Sequence, residues 1–354
     1  MNKTAGRKRS LPEAYLRAAE VAQAENAPLY EQVARALGES PEAMQVLEPA
    51  AQRGPSAVLA ALHDRALAGR APELARAYAE GDAPAAGRAA VQTLLGSIEE
   101  VIATAGRRPV LTKENGRCAV LYPAVAEAAL RVGAGAIALI DVGRAAGLNL
   151  NLDRVGLSYS SGRRLGDPSS PVQMSAQVVG ERPIPSQPLP EVVSRTVVAP
   201  DPLDLTDADQ ARWLRAGVWP DHQEQMAVLN AELDLAVRSP VRRLAGVINE
   251  RLPEALAEVP ADVLPVVTTT WALSHLSLEA RLRFLHCLDE AATHRPVAWV
   301  SVEGVGVAPA VPTMGDRRAS GHSTIGLSVF EHASTVALAV GRSWSQGRTL
   351  AWLV

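Results

Sequence analysis

The chain has 354 residues, a formal charge of -3, 47% hydrophobic and 21% charged residues. That length suits one large α/β domain with a smaller appendage, and the nearly balanced charge, with arginines scattered among acids, leaves no nucleic-acid footprint. Cys118 and Cys287 stand alone without CxxC spacing, which excludes a disulfide framework and a zinc ribbon and points to a reducing cytoplasm.

Lys3, Lys8 and Lys113 are the only lysines. Their scarcity removes the GKS/GKT phosphate loop, the YxxxK pair of short-chain dehydrogenases and most Schiff-base candidates. No run approaches the roughly 18 apolar residues of a membrane span, so no membrane partner is expected.

In chain order, residues 1–10 read as a disordered N-terminus and residues 11–106 as a helical domain of five or six short helices, punctuated by Pro41, Pro55, Pro72 and Pro84, each suited to a helix start. PSAVLAALHDRALAG, residues 55–69, carries a proline head and a glycine tail, and His63 within it reads as a core histidine. From 107 to 354 the pattern is α/β. RPVLTKENGR (108–117) is a polar turn, and LYPAVAEAALRVGAG (121–135) is a helix ending in glycine. LIDVGRAAGLNLN (139–151) then reads as a strand that ends, turns tightly and opens a helix.

Residues 155–190 form a Ser/Pro/Gly-rich insertion of hairpin and loop with one strand-like piece, VQMSAQVV. EVVSRTVV (191–198) is a strand, and APDPLDLTDAD leads into a helix capped by Thr206 or Asp207 that breaks at Pro220. VLPVVTTT (263–270), the helix 276–292 and PVAWVSVEG (296–304) alternate clearly; 305–325 is loop, and residues 335–354 close the chain as a strand pair. The order predicts a Rossmann-like, mostly parallel sheet with an antiparallel C-terminal hairpin.

Sites follow from strand ends, because ligands of such sheets bind outside the carboxyl ends of the strands. Asp141, Gly143, Arg144, Gly147 and Asn149 lie at and after the end of the first strand, and Thr268, Thr269, Thr270 and Trp271 end the 263–270 strand, with His275 just beyond. Glu303, ending the next strand, is the best-placed general base. Glu114 and Arg117 either overhang the crevice or form a local salt bridge. In WPDHQ, Asp221 and His222 beside Trp219 are a second acid–base candidate or a turn. Neither HExxH nor GxSxG occurs, so no metal and no serine hydrolase is expected.

The acid and glycines of the 141–147 turn resemble the class I S-adenosylmethionine-dependent methyltransferases, with Asp141, Gly143 and Gly147 matching that pattern and Ala145 replacing its middle glycine. TKENGR, DVGRAAGLNLNLDR, RTVVAPDPLD and RWLRAGVWPDH together resemble an uncharacterised bacterial family, domain of unknown function 2332. The first resemblance implies S-adenosylmethionine held at Asp141, Gly143, Arg144, Gly147 and Asn149. Since Ala199 stands where the ribose-binding acid is expected, Asp201 or Asp204 would take that role.

The expected function is therefore a small-molecule methyltransferase or its descendant. The alternative is a non-catalytic binding or scaffold module that retains the fold. Glycines serving only close packing, with a solvated Arg144, would fit that alternative. Oligomeric state is left open.

Overall fold

The computed structural model describes residues 10–107, 109–110, 117–144, 146–332 and 334–354. It is a mixed α/β structure with a mostly parallel sheet and a helical N-terminal region. The chain divides into two compact units, Met1–Lys113 with Thr206–Asn230, and Glu114–Leu205 with Ala231–Val354.

In the first unit, Leu11–Ala24, Pro28–Glu39, Pro41–Leu47, Gly54–Leu67, Pro72–Glu80, Ala83–Gly96 and Ile98–Arg107 are helices. That is one more than the longest count expected from sequence. All but the last of these carry proline at the first or second position, where the missing N–H costs nothing and the fixed φ is already helical. The segment 206–230, expected with the α/β region, belongs here instead. Asp207 caps the helix Ala208–Ala216 by accepting from the Asp209 and Gln210 amides. That helix brings Trp213 and Ala216 into the core with Leu37, Leu62 and Leu94. Burial of an indole, worth roughly 2 to 3 kcal/mol, outweighs sequence proximity to the strands.

The second unit contains β1 (Ala136–Val142), β2 (Gly156–Tyr159), β3 (Arg164–Gly166), β4 (Gln173–Val178), β5 (Glu191–Ala199), β6 (Arg242–Ala245), β7 (Leu264–Thr270), β8 (Val297–Gly304), β9 (Ser323–Glu331), β10 (Ser334–Trp344) and β11 (Thr349–Trp352). Their order in the sheet is β3-β2-β4-β11-β10-β9-β8-β7-β1-β5-β6. The run β8-β7-β1-β5-β6 is parallel throughout, and β9, β10 and β11 add antiparallel strands. From β1 the chain first builds toward β5 and later returns to β7 on the other side. The strand order therefore reverses between β1 and β7, the place where open α/β sheets form a ligand crevice.

The sheet's two faces have separate cores. Ile137, Leu139, Val266, Val300 and Val302 pack with the helix Cys118–Val132. Ile140, Val267 and Trp299 pack with Leu252 and Leu256 of the helix Ile248–Ala257 and with Phe284 and Leu288 of the helix Leu278–Ala291. This alternation along each strand is the period-2 pattern of a sheet covered on both sides.

One sequence expectation is corrected here: the turn after β1 opens a short 3-10 helix, Leu148–Arg154, with Asn151 out of helical geometry, and no α-helix. The 155–190 insertion holds the expected hairpin, β2 with β3, and the expected strand, β4, and it also extends the sheet beyond β11 through the β4–β11 pairing. Among the described residues no helix is long and apolar enough to cross a membrane.

Candidate functional site

At the carboxyl edge, Asp141 and Thr268 are register partners on β1 and β7 and share a face of the sheet. Asp141 is 0% exposed. Its Oδ1 accepts from Thr268 Oγ1 at 2.9 Å and its Oδ2 from Asn149 Nδ2 at 3.2 Å. Asn149 also donates to Thr270 Oγ1 at 3.3 Å, as does Arg117 Nη1. A buried carboxylate persists only when hydrogen bonds and opposite charge offset its desolvation, and this network supplies the hydrogen bonds.

Trp271 follows β7 with φ +50, a left-handed conformation that L side chains rarely adopt. Its indole N–H donates to Ser323 Oγ at 2.7 Å, and the Arg117 guanidinium lies over its ring, 5.2 Å from the centroid. Holding a tryptophan there costs on the order of 1 to 3 kcal/mol, and such strain concentrates at functional sites. Asp141, Asn149, Thr270, Arg117 and Trp271 are thus gathered at one edge. Thr268 joins them from the same strand end, and so does Ser323, which the sequence reading missed because its role depends on strand register.

The glycine turn is less open than its sequence suggests. Gly143 has φ +84, and a Cβ there would stand 2.5 Å from Ala272 Cβ, so neighbouring chain already occupies the close approach. Gly147, at φ +63, faces Leu150 and Val197. Arg144 donates through Nε to the Thr270 carbonyl at 2.8 Å, with a longer 3.5 Å contact from Nη2 to the Trp271 carbonyl. It is therefore a staple across the end of β7, which counts against the alternative of a solvated Arg144 and leaves its expected contact with a cofactor untested. Ala145 lies outside the described residues, and so does Glu114.

Glu303 sits on the other face, since Asp141, Thr268 and Val300 are in register and Glu303 is three residues beyond Val300. It is 1% exposed. Oε1 accepts from the Ala272 and Leu273 amides at 3.0 and 3.1 Å, capping the turn after β7. Oε2 is buried with no hydrogen-bond partner among the described residues. Burial pushes the Glu303 carboxyl above the usual glutamate range, against the opposing pull of those amides and of Arg144.

Other candidates have different work. Asp204 forms an ion pair with Arg243 at 3.4 Å, and His275 is exposed at the end of a short 3-10 turn. Asp221 is a cap: its Oδ1 and Oδ2 accept from the Leu29 and Tyr30 amides at 2.8 and 3.0 Å, at the start of the helix Pro28–Glu39. Trp219 stacks between Tyr30 and His222, with centroids 4.2 and 5.2 Å away. The acid–base role expected of Asp221 and His222, and the substrate contact expected of Trp219, give way to a staple within the helical unit. No sequence signal pairs residues so far apart. Among the described residues no group of three or more His, Cys, Asp or Glu side chains is placed to hold a metal.

The model of one family, described as "Uncharacterized protein conserved in bacteria (DUF2332)", matches residues 12–352, and the chain belongs to that family. Among curated proteins, none matches the chain.

Proposed function

We propose that this chain is a methyltransferase-type protein that binds S-adenosylmethionine at the β1–β7 edge and acts on a small molecule. The observation that carries the reading is the fully buried Asp141, hydrogen-bonded by Thr268 and Asn149 beside Arg117, at the point where strand order reverses. Carboxylate, amide, hydroxyl and guanidinium groups in one place suit the charged amino-acid end of that ligand. Bound there, S-adenosylmethionine would supply an electrophilic methyl group.

The chain's own part is to hold and orient. Asp141 would face the ligand ammonium and Trp271 would wall the crevice, its ring fixed by Ser323 and Arg117. The ribose end finds a poorer match, because Ala199 is apolar and Asp204 is engaged by Arg243.

A second reading, a binding module that has lost the chemistry, is favoured by Ala272 filling the approach to Gly143. Calorimetry of the full chain with S-adenosylmethionine and S-adenosylhomocysteine separates the two. Binding of both, weakened by Asp141→Asn, supports the first reading, whereas folded protein that binds neither leaves the module. A thermal-shift screen of other nucleotides then looks for a rebuilt pocket, since a ligand of the native state raises the melting temperature.

A further inference from the structure

Glu303, Thr324 and Arg342 are consecutive register partners on β8, β9 and β10. Directly paired residues share a face, and strands lie about 4.8 Å apart. The row therefore places an acid and a guanidinium on backbones about 10 Å apart, with a hydroxyl between them. Glu303 spends Oε1 on two backbone amides, while Oε2 is buried without a well-formed hydrogen bond among the described residues, the Thr269 hydroxyl being its nearby polar neighbour. Thr324 Oγ1 is in the same state, as is Ser301 Oγ one row further in. Buried polar atoms without partners are rare and each requires an explanation.

At the other end of the row, Arg342 forks onto Asp316, Nε to Oδ2 at 2.7 Å and Nη2 to Oδ1 at 3.1 Å. Asp316 also meets His322 Nε2 at 3.0 Å. It belongs to the segment 305–322, in which Gly306, Gly315 and Gly321 all have positive φ. The bidentate geometry is the one a guanidinium uses for any carboxylate, so the chain's own acid stands where a ligand carboxylate would.

We infer that this row is a binding site for a small zwitterionic amino acid, its ammonium on Glu303 and its carboxylate exchanging with Asp316 on Arg342. A simple anion is disfavoured because it would approach the buried Glu303 carboxyl, and a simple amine because it leaves Arg342 to Asp316. A zwitterion offers a partner to both Glu303 and Arg342, and the displaced Asp316 keeps its contact with His322. The site lies on the opposite face of the sheet from Asp141 and does not depend on the S-adenosylmethionine reading.

The test is calorimetry of the full chain with glycine, β-alanine and γ-aminobutyrate, alongside acetate and methylamine as half-ligands. At least one zwitterion should bind, at least tenfold more tightly than either half-ligand. Asp316→Asn, which weakens the internal competitor, should tighten it at least threefold, and Glu303→Gln should loosen it at least tenfold. If Glu303→Gln fails to fold, Thr324→Val takes its place, with a loosening of at least threefold.

The inference is overturned if no zwitterion binds to the parent or to Asp316→Asn, if acetate binds as tightly as the zwitterions, or if the variant that replaces the Glu303 or Thr324 contact binds like the parent. None of the probes carries a nucleoside. Failure here therefore leaves the S-adenosylmethionine titration untouched, and failure there leaves this site untouched.

Discussion

Asp221 and Glu303 are both carboxylates that accept two backbone amides, yet they differ in what remains. Asp221 uses one oxygen per amide, at Leu29 and Tyr30, and serves as the missing cap of a helix that begins at Pro28 without a capping side chain of its own. Glu303 takes both amides on Oε1 and keeps Oε2 buried without a well-formed hydrogen bond among the described residues. The sequence marks both as acids at element ends. Only the distribution of hydrogen bonds separates an acid whose acceptors are committed to the fold from one with capacity left for a ligand.

The comparison is broken most severely by Glu303→Ala. Two buried amides lose their acceptor, at about 1 to 3 kcal/mol each, so a loss of roughly 2 to 6 kcal/mol is expected in chemical denaturation. Hydrogen exchange should quicken at Ala272 and Leu273. If those amides stay protected, the turn does not rely on Glu303, and the contrast with Asp221 vanishes.

Arg144→Ala comes next. Removing a guanidinium that holds the Thr270 and Trp271 carbonyls should cost about 1.5 to 3 kcal/mol, the range for hydrogen bonds to charged groups. The thermal midpoint should fall by several degrees with no ligand present. An unchanged midpoint would mean that the two carbonyls do not rely on Arg144 for stability.

Asp221→Ala should cost less, about 1 to 2 kcal/mol, the usual loss for a helix cap. The effect should be confined to the exchange of Leu29, Tyr30 and the helix they start. Asp221→Asn keeps one acceptor and should lose about half as much. Neither variant should alter a titration with S-adenosylmethionine; if one does, Asp221 has a role beyond its cap.

Much of the frame was legible because local chemistry decides it. β1, β5, β7 and β8 are apolar runs bounded by turns, and four expected proline starts, at Pro41, Pro55, Pro72 and Pro84, all fall in the first turn of a helix. β6 was not legible, because it is a four-residue edge strand carrying Arg242 and Arg243 with one buried position. β9 was hidden behind the glycine- and proline-rich loop before it, although Thr324 to Val329 lie fully within the sheet. Asp141, Thr268, Thr270 and Trp271 could be found from strand ends alone. Ser323 and the Glu303–Thr324–Arg342 row could not, since register across strands is a tertiary fact. Asp221 was misread for the same reason: its partners lie 192 and 191 residues away in sequence.

The smallest effect expected is also the most selective. Burial raises the Glu303 pKa in the folded state, so the folded chain holds this proton more tightly than the unfolded one. Its contribution to stability is complete below the unfolded glutamate value and is lost as pH rises through the raised folded value. Glu303→Gln carries the neutral form at every pH. Measured against the parent in urea, the variant should therefore gain in relative stability as pH climbs out of the ordinary glutamate range, and the difference should level off above the raised value.

Asp316 provides the opposite control. The Arg342 fork lowers its pKa, so its contribution is present above the unfolded aspartate value and lost as pH falls through the depressed folded one. Asp316→Asn should thus lose ground to the parent as pH rises through the aspartate range, while Glu303→Gln gains ground above the glutamate range. Two acids at the two ends of one row, tilting in opposite directions, would mark Glu303 as the end where burial outweighs the pull of Arg144 and Arg342 as the end already supplied with an anion. Parallel tilts would mean that positive charge on Glu303 outweighs its burial, and the row would then have no place for a ligand ammonium.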